Sequence, residues 1–421
     1  MNQFIVEGGF PLKGNVSVSG SKNAALPILA ATLLTAEQCT IHNVPDIRDT
    51  HTMLELLAGL GSKIEFEKNT VKIQTKSINY KKFPGQLACK MRASVLLAGP
   101  LVARFGEIKL PYPGGCVLGA RPVDTHDFVF KSLGSKEVKG KMPEFHYKGK
   151  PKPVAIIMPE MSVTGTENAV MAASLTHGQT KISLAALEPH VQDVCHFINK
   201  MGGHVEGIGT HTLTVNGEKK LHGAEYTVTS DYLEVGTFAL AGILTGGEIT
   251  IHNVQHDHLD AFWNALREIG VPFELSGTSV KIKSSKKIKL KSLKRLQTNI
   301  FPGFPTDLQP PFTILLTQAN GQSYVHEALF EGRFSYFSEL KKMGANVKRI
   351  TEHQALINGP TKLHGARVKS CDIRAGAAMI LASLIAKGKT TITDIQYIER
   401  GYERMAEKLR ELGAHIIKKV D

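Results

Sequence analysis

Six segments of the chain repeat one pattern: apolar residues at helical spacing, a glycine, then a short alternation of apolar and polar positions. They read LELLAGLGSKIE, DFVFKSLGSKEV, CHFINKMGGHVE, WNALREIGVPFE, FSELKKMGANVK and MAEKLRELGAHI. The spacing predicts an amphipathic helix with one buried face, running into a half-buried strand. The glycines Gly61, Gly134, Gly202, Gly270, Gly344 and Gly413 stand 68 to 74 residues apart. Glycine is expected there because it enters the left-handed C-cap conformation without a Cβ clash. The pattern is therefore a structural repeat, and six copies fill the 421 residues.

Each copy also holds an earlier segment that is apolar nearly all round: AALPILAATLL, ASVLLAGPLVA, NAVMAASLT, VGTFALAGIL, PPFTILLTQA and AGAAMILASLIA. A helix without a polar face must be buried on every side. Short strands such as CTIHNV, EIKLPY, KISLAAL and EITIHNV follow these segments. Three copies can pack their apolar helices inside, with sheets and amphipathic helices outside. The pattern predicts an α/β chain of two similar domains, three repeats in each.

Residues able to do chemistry fall at matched places in the repeat. Lys22 and Asn23, Arg92, Ser162 to Thr166, Asp231, Asp307 and Arg374 stand where inner helices begin. Cys116 with Arg121, Glu188, Arg333 and Arg400 stand at the turns before amphipathic helices. If the inner helices of a domain run parallel, their N-termini converge and form an anion site. Basic residues at a helix start oppose its dipole, and an anion bridging them removes the conflict.

Composition sharpens this reading. Net charge is +13, which favours anionic ligands. Much of the excess lies in KIKSSKKIKLKSLKR, whose alternation predicts a half-buried edge strand with a solvated lysine face. No aromatic residue interleaves with the lysines to stack bases, so no nucleic-acid partner is expected. Cys39, Cys89, Cys116, Cys195 and Cys371 are odd in number, widely spaced and without a C-x-x-C, which argues against a disulfide framework or zinc ribbon, and all but Cys116 lie in segments that read as helix or strand. His256, Asp257 and His258 are expected to form a solvated turn rather than a metal site. The opening MNQFIVEGGF lacks a basic-then-apolar leader, and ASVLLAGPLVA is too short to span a bilayer. A cytoplasmic protein with no membrane partner is expected.

Cys116 stands in GGCVLGARPVD, a glycine-rich stretch with Arg121 and Asp124 close by. Free cysteine normally behaves as a small buried hydrophobe, so a thiol in this setting is a candidate for chemistry. Together with GGFPLKGNVSVSGSKNAALPILAA, FPTDLQ and RGYERMAEKLRELGA, this stretch resembles the UDP-N-acetylglucosamine 1-carboxyvinyltransferase family of enolpyruvyl transferases. The resemblance runs from end to end. The cysteine loop sets that family apart from its relatives that make 5-enolpyruvylshikimate 3-phosphate.

The resemblance implies a two-domain inside-out α/β barrel built from six repeats of about 70 residues, the enolpyruvyl transferase fold. One domain would hold residues 21–230 and the other 1–20 with 231–421, with the active site in the cleft where helix N-termini face each other. It implies transfer of the enolpyruvyl group of phosphoenolpyruvate to the 3-hydroxyl of UDP-N-acetylglucosamine, the first committed step of peptidoglycan precursor synthesis. No cofactor or metal is implied, the protein would be a monomer or weak oligomer, and fosfomycin would act on it. Cys116, acidified by Arg121 and by N–H groups of its turn, would protonate C3 of phosphoenolpyruvate. Asp307 would take the hydroxyl proton, although a residue at the start of a helix can also serve merely as an N-cap. Lys22 and Arg400 would complete the catalytic set. Lys22, Asn23, Arg92, Arg121, Arg333, Arg374 and Arg400 would hold phosphoenolpyruvate. Asn23, Arg92, Arg121, Pro122, Val123, Asp124, Thr125, Ser162, Val163, Thr164, Asp307 and Leu329 would hold the nucleotide sugar.

Two positions depart from the family pattern. Glu160 replaces a common lysine before the serine loop, and Tyr232 replaces a common arginine after Asp231. Both remove positive charge expected near the nucleotide. Transfer to another UDP-sugar or alcohol is the nearest alternative. A non-catalytic binding protein on the same fold is the other, and the presence of Lys22, Cys116 and Asp307 argues against it.

Overall fold

The computed structural model describes residues 2–114, 123–139, 144–284 and 288–420. These fall into two compact units, one from Gly20 to Thr229 and the other from residues up to Ser19 together with those from Ser230 onward. The six apolar segments are indeed buried helices. They are α1 (Lys22–Ala31), α2 (Ala98–Phe105, entered through the 3₁₀ turn Arg92–Leu97) and α3 (Val163–Ala173) in the first unit. In the second they are α4 (Tyr232–Thr245), α5 (Gln309–Leu316) and α6 (Ile373–Ile385).

In the second unit α4, α5 and α6 touch one another pairwise. Phe238 and Leu240 on α4, Phe312 on α5 and Met379 on α6 are fully buried in one core with the amphipathic helices. Three four-stranded sheets cover it. Each has the same plan, one parallel pair followed by two antiparallel ones. In one of them Lys13–Ser17 runs parallel to Glu248–His252, with Val16 opposite Ile251, and Ser279–Lys283 and Phe273–Ser276 continue it antiparallel. In another, Gln3–Glu7 lies between Lys389–Thr393 and His415–Lys419.

The first unit is built alike, with α2 packed along α3 and α1 against the turn Arg92–Leu97. Two of its sheets follow the four-stranded plan. Among the described residues the third contains Glu107–Pro111, Glu144–Lys148 and Lys136–Glu137, all antiparallel. Side chains at the helix starts explain where four inner helices begin. Ser21 caps α1, Ser162 caps α3, Asp231 caps α4 and Asp372 caps α6, each accepting from backbone N–H groups of the first turn.

All six repeat glycines have φ between 87° and 110°, the left-handed region that was expected. At Gly270 a Cβ would meet nothing within 4 Å, so the backbone alone resists substitution. Gly270→Ala is therefore expected to cost about 1 kcal/mol, read as a small drop in the urea midpoint with activity kept. A midpoint that rises would remove the capping argument.

Three local expectations need correction. Ser279–Lys283 is an inner strand, paired on both sides, and Lys281 and Lys283 reach Glu248 at 3.3 and 3.8 Å. The described part of the basic run beyond it, 288–295, forms no strand. The lysines reflect one solvated face rather than an edge. His256–Leu259 is a 3₁₀ turn in which the His256 ring bonds the Gly277 carbonyl at 2.8 Å, with His258 half-buried. Finally, Cys39 and Cys195 are buried in a strand and a helix, but Cys89 is exposed just after a short helix and Cys371 is half-buried before α6. Among the described residues no helix is long and apolar enough to cross a membrane.

Candidate active site

A buried polar cluster of the second unit surrounds Asp307. This residue sits in the 3₁₀ turn Thr306–Leu308 that feeds α5. Its carboxylate bonds the Arg333 guanidinium through one oxygen and Arg374 Nε through the other, the latter at 3.0 Å. Arg333, in the turn Glu331–Phe334, is 1% exposed, and Arg374, in the first turn of α6, is 5% exposed. Burial alone would raise the Asp307 pKa, but Arg374 and then Arg333 overcome it and hold the carboxyl well below the usual range. Asp307 is not the cap of α5, because Leu308 precedes that helix and offers no side-chain cap.

Behind the cluster lies a buried carboxylate that sequence reasoning missed. Glu327 accepts from the hydroxyls of Thr298 and Thr306 at 2.9 Å and from Leu329 N–H at 3.1 Å. Thr306 Oγ1 in turn accepts from Arg333 Nε at 3.1 Å, which fixes the guanidinium plane. Arg374 also stacks on the Tyr402 ring at 5.3 Å. Asp231, also buried, lies close enough for the Arg374 charge to oppose the rise that burial imposes on its pKa. Arg400 ends the 3₁₀ turn Ile395–Arg400 and is half-buried, while Leu329 is 37% exposed.

In the first unit Lys22 is the first residue of α1, and its ammonium meets Asp49 at 2.8 Å. Asp49 lies in the first turn of the amphipathic helix Arg48–Leu60 and also escaped sequence analysis. Asn23 beside Lys22 is half-buried. Arg92 opens the 3₁₀ turn before α2. His126, in the helix Asp124–Ser132, is buried, and desolvation followed by the Arg92 charge lowers its pKa to about 3. Its Nε2 lies 3.2 Å from the Thr164 hydroxyl in the first turn of α3. Val123 precedes the His126 helix, Asp124 is exposed and Thr125 is buried. Ser162 Oγ accepts from Gly165 N–H at 3.2 Å, and Val163 is half-buried beside it. Cys116, Arg121 and Pro122 lie outside the described residues. Thus Asp307, Arg333 and Arg374 come together, as do Arg92 and Thr164 around His126. Among the described residues no group of three or more side chains could hold a metal ion.

Residues 6–409 match the family described as EPSP synthase (3-phosphoshikimate 1-carboxyvinyltransferase). The chain is 43% identical to the UDP-N-acetylglucosamine 1-carboxyvinyltransferase of Campylobacter hominis, over 98% of both chains. It is 40% identical to the enzyme of the same name from Methylacidiphilum infernorum, over 99% of this chain and 98% of that one. The chain belongs to the UDP-N-acetylglucosamine 1-carboxyvinyltransferase family. Among solved structures, the enolpyruvyl transferase NikO from Streptomyces tendae superposes with a TM-score of 0.89 at 24% identity, covering 100% of this chain and 99% of that one. EPSP synthase from Acinetobacter baumannii gives 0.76 at 19%, with full coverage of both. The fold is that of the enolpyruvyl transferases.

Within this UDP-N-acetylglucosamine 1-carboxyvinyltransferase family member the two departures have different surroundings. Glu160 is exposed and accepts from the Thr125 hydroxyl at 2.8 Å. Tyr232 is buried at the start of α4, its ring edge-on to His258.

Proposed function

We propose that the protein transfers the enolpyruvyl group of phosphoenolpyruvate to the 3-hydroxyl of UDP-N-acetylglucosamine, in the cytoplasm and as a monomer or weak oligomer. The observation that carries this reading is 40–43% identity over nearly the whole chain to relatives of that name. The carboxylate held by two buried arginines supports it, because the reaction needs both a proton acceptor and anion contacts.

The hydroxyl oxygen adds to C2 of phosphoenolpyruvate while Cys116 gives a proton to C3. The tetrahedral adduct then loses phosphate from C2 and a proton from C3, leaving the enol ether. Lys22, Asn23, Arg92, Arg121, Arg333, Arg374 and Arg400 hold the phosphate and carboxylate, where planar guanidinium groups grip oxyanions in pairs. Pro122, Val123, Asp124, Thr125, Ser162, Val163, Thr164 and Leu329, with Asn23, Arg92 and Arg121, hold the nucleotide sugar.

Asp307 accepts the hydroxyl proton, and its surroundings set a condition on that role. A carboxylate clamped by two guanidinium groups is a weak base. Phosphoenolpyruvate anions compete for those same groups, and each contact drawn from Asp307 raises its proton affinity. Base strength therefore develops as phosphoenolpyruvate binds.

Arg400→Ala tests the anion contacts. It should lower kcat/KM for phosphoenolpyruvate by about 10- to 100-fold, with a much smaller loss of affinity for UDP-N-acetylglucosamine. Equal losses for both substrates would mean that Arg400 supports structure. Release of phosphate from phosphoenolpyruvate only when UDP-N-acetylglucosamine is present tests the function as a whole.

A further inference from the structure

Asn168 sits in the middle of α3 with no exposure to solvent, and its orientation is fixed without ambiguity. Its Oδ1 accepts from Gly99 N–H at 2.8 Å, and its Nδ2 donates to the Val95 carbonyl at 2.9 Å. A flipped amide would set donor against donor and acceptor against acceptor. The approach to the backbone is close: a Cβ at position 99 would stand 2.8 Å from Asn168 oxygens, so glycine is required there. The second Nδ2 proton points at His126 Nδ1, 3.0 Å away.

This arrangement determines the imidazole. Nδ1 faces a donor and must offer its lone pair, so the single proton of the neutral ring lies on Nε2. Protonating Nδ1 would oppose two N–H groups in a buried site, beside the Arg92 charge. Nε2–H therefore donates to Thr164 Oγ1. With one lone pair taken, the Thr164 hydroxyl keeps its own proton for an acceptor, and none is present among the described residues. The N-cap Ser162 already takes the N–H groups of Gly165 and Thr166. The N–H groups ahead of them in the first turn have no place in the helical ladder. A hydroxyl proton and these N–H groups thus lie together at the start of α3.

We infer that His126, fixed by Asn168, is a positioning residue that makes the Thr164 hydroxyl an obligate hydrogen-bond donor to the diphosphate of the nucleotide sugar. The inference rests on the proposed function and adds to it which group compensates for a lost charge. The resemblance implies a lysine at the position of Glu160, whereas here that side chain is an acceptor engaged with Thr125. A neutral hydroxyl of fixed direction supplies one of the contacts that the ammonium would have made.

Two measurements on the full protein test this. Nitrogen NMR of ¹⁵N-histidine-labelled protein at neutral pH, with the His126 signals assigned by their loss in His126→Asn, should show the Nε2–H tautomer. Titration calorimetry should show UDP-N-acetylglucosamine and UDP binding about tenfold more weakly to Thr164→Val, with Thr164→Ser close to the parent protein. His126→Asn can still accept from Asn168 but cannot donate to Thr164, and should weaken both ligands similarly. The double variant His126→Asn with Thr164→Val should bind no worse than Thr164→Val alone, since both changes remove one contact.

An Nδ1–H or doubly protonated ring overturns the inference, as do additive losses or a Thr164→Val variant that binds UDP unchanged. If His126→Asn fails to fold, the tautomer and the Thr164 pair still decide. A parent protein that ignores UDP-N-acetylglucosamine would overturn the proposed function and this inference with it. Normal binding by the parent and unchanged binding by Thr164→Val would overturn only the inference.

Discussion

Asp307→Asn should lower turnover by about a thousandfold, the scale of a positioned proton acceptor, while the protein still folds. The amide keeps the shape and can bond one arginine, but it accepts no proton and leaves two buried guanidinium groups facing a neutral partner. Breaking a buried pair in this way costs about 3–5 kcal/mol. Asp307 is 28% exposed, so about 2–3 kcal/mol is expected after solvent screening. The pH dependence follows from the lowered pKa of Asp307 in the folded state. A depressed carboxyl contributes stability that is fully present above its unfolded pKa of about 4. That contribution is lost only as pH falls further, toward the folded value. The difference in urea midpoint between the parent protein and Asp307→Asn should therefore be flat from pH 5 to 8 and shrink below about pH 4. Undiminished turnover in Asp307→Asn with the same loss of stability would make the carboxylate purely structural.

Cys116→Ser should nearly abolish turnover, because a serine hydroxyl is far too weak an acid to protonate C3. Cys116→Asp should keep turnover, since a carboxylic acid with a raised pKa can deliver the same proton. An acidified thiol is also a strong nucleophile. Fosfomycin, an epoxide resembling phosphoenolpyruvate, should alkylate Cys116 in the parent protein and fail against Cys116→Asp. Exposure alone would not single out one thiol of five, because Cys89 is exposed. Acidity separates the others: burial pushes the Cys39 and Cys371 thiols up to about 11 and Cys195 to about 12. Peptide mass spectrometry after treatment should find the adduct on Cys116. Labelling of Cys89 in its place, or an active serine variant beside an inactive aspartate one, would sink the acid assignment.

The repeat was legible because its signals are local. A glycine cap needs only its own φ, and an inner helix declares itself by lacking a polar face. The residues around the site were legible only as types at matched positions. Nothing near Lys22 announces its partner Asp49, and nothing in FPTDLQ says that Asp307 turns to Arg333 and Arg374 instead of capping α5. Glu327, Asn168 and His126 were missed for the same reason. Each is a buried polar group with partners well away along the chain, within one repeat for Glu327 and in another repeat for Asn168 and His126, and no periodicity records a contact between residues 99 and 168. The lysine alternation misled because period two reports a solvated face, and an inner strand of a one-sided sheet has such a face as well.

The pairing of Gln3–Glu7 with residues 389–393 and 415–419, and of Lys13–Ser17 with Glu248–His252, also orders events during synthesis. Residues from Gly20 to Thr229 have all their sheet partners once residue 229 has left the ribosome, so that unit can complete first. The strand Lys13–Ser17 must wait for position 252, on the order of tens of seconds at ordinary elongation rates. Through that interval it is an unpaired edge, open to pairing with other chains. Its sequence, KGNVS, suits the delay: four of its five residues are exposed even in the finished sheet. Gln3–Glu7, with Phe4 and Val6 buried at the end, waits longest and carries the greater hazard. A nascent chain stalled before position 389 would hold one finished unit and one whose first strand still lacks both its neighbours.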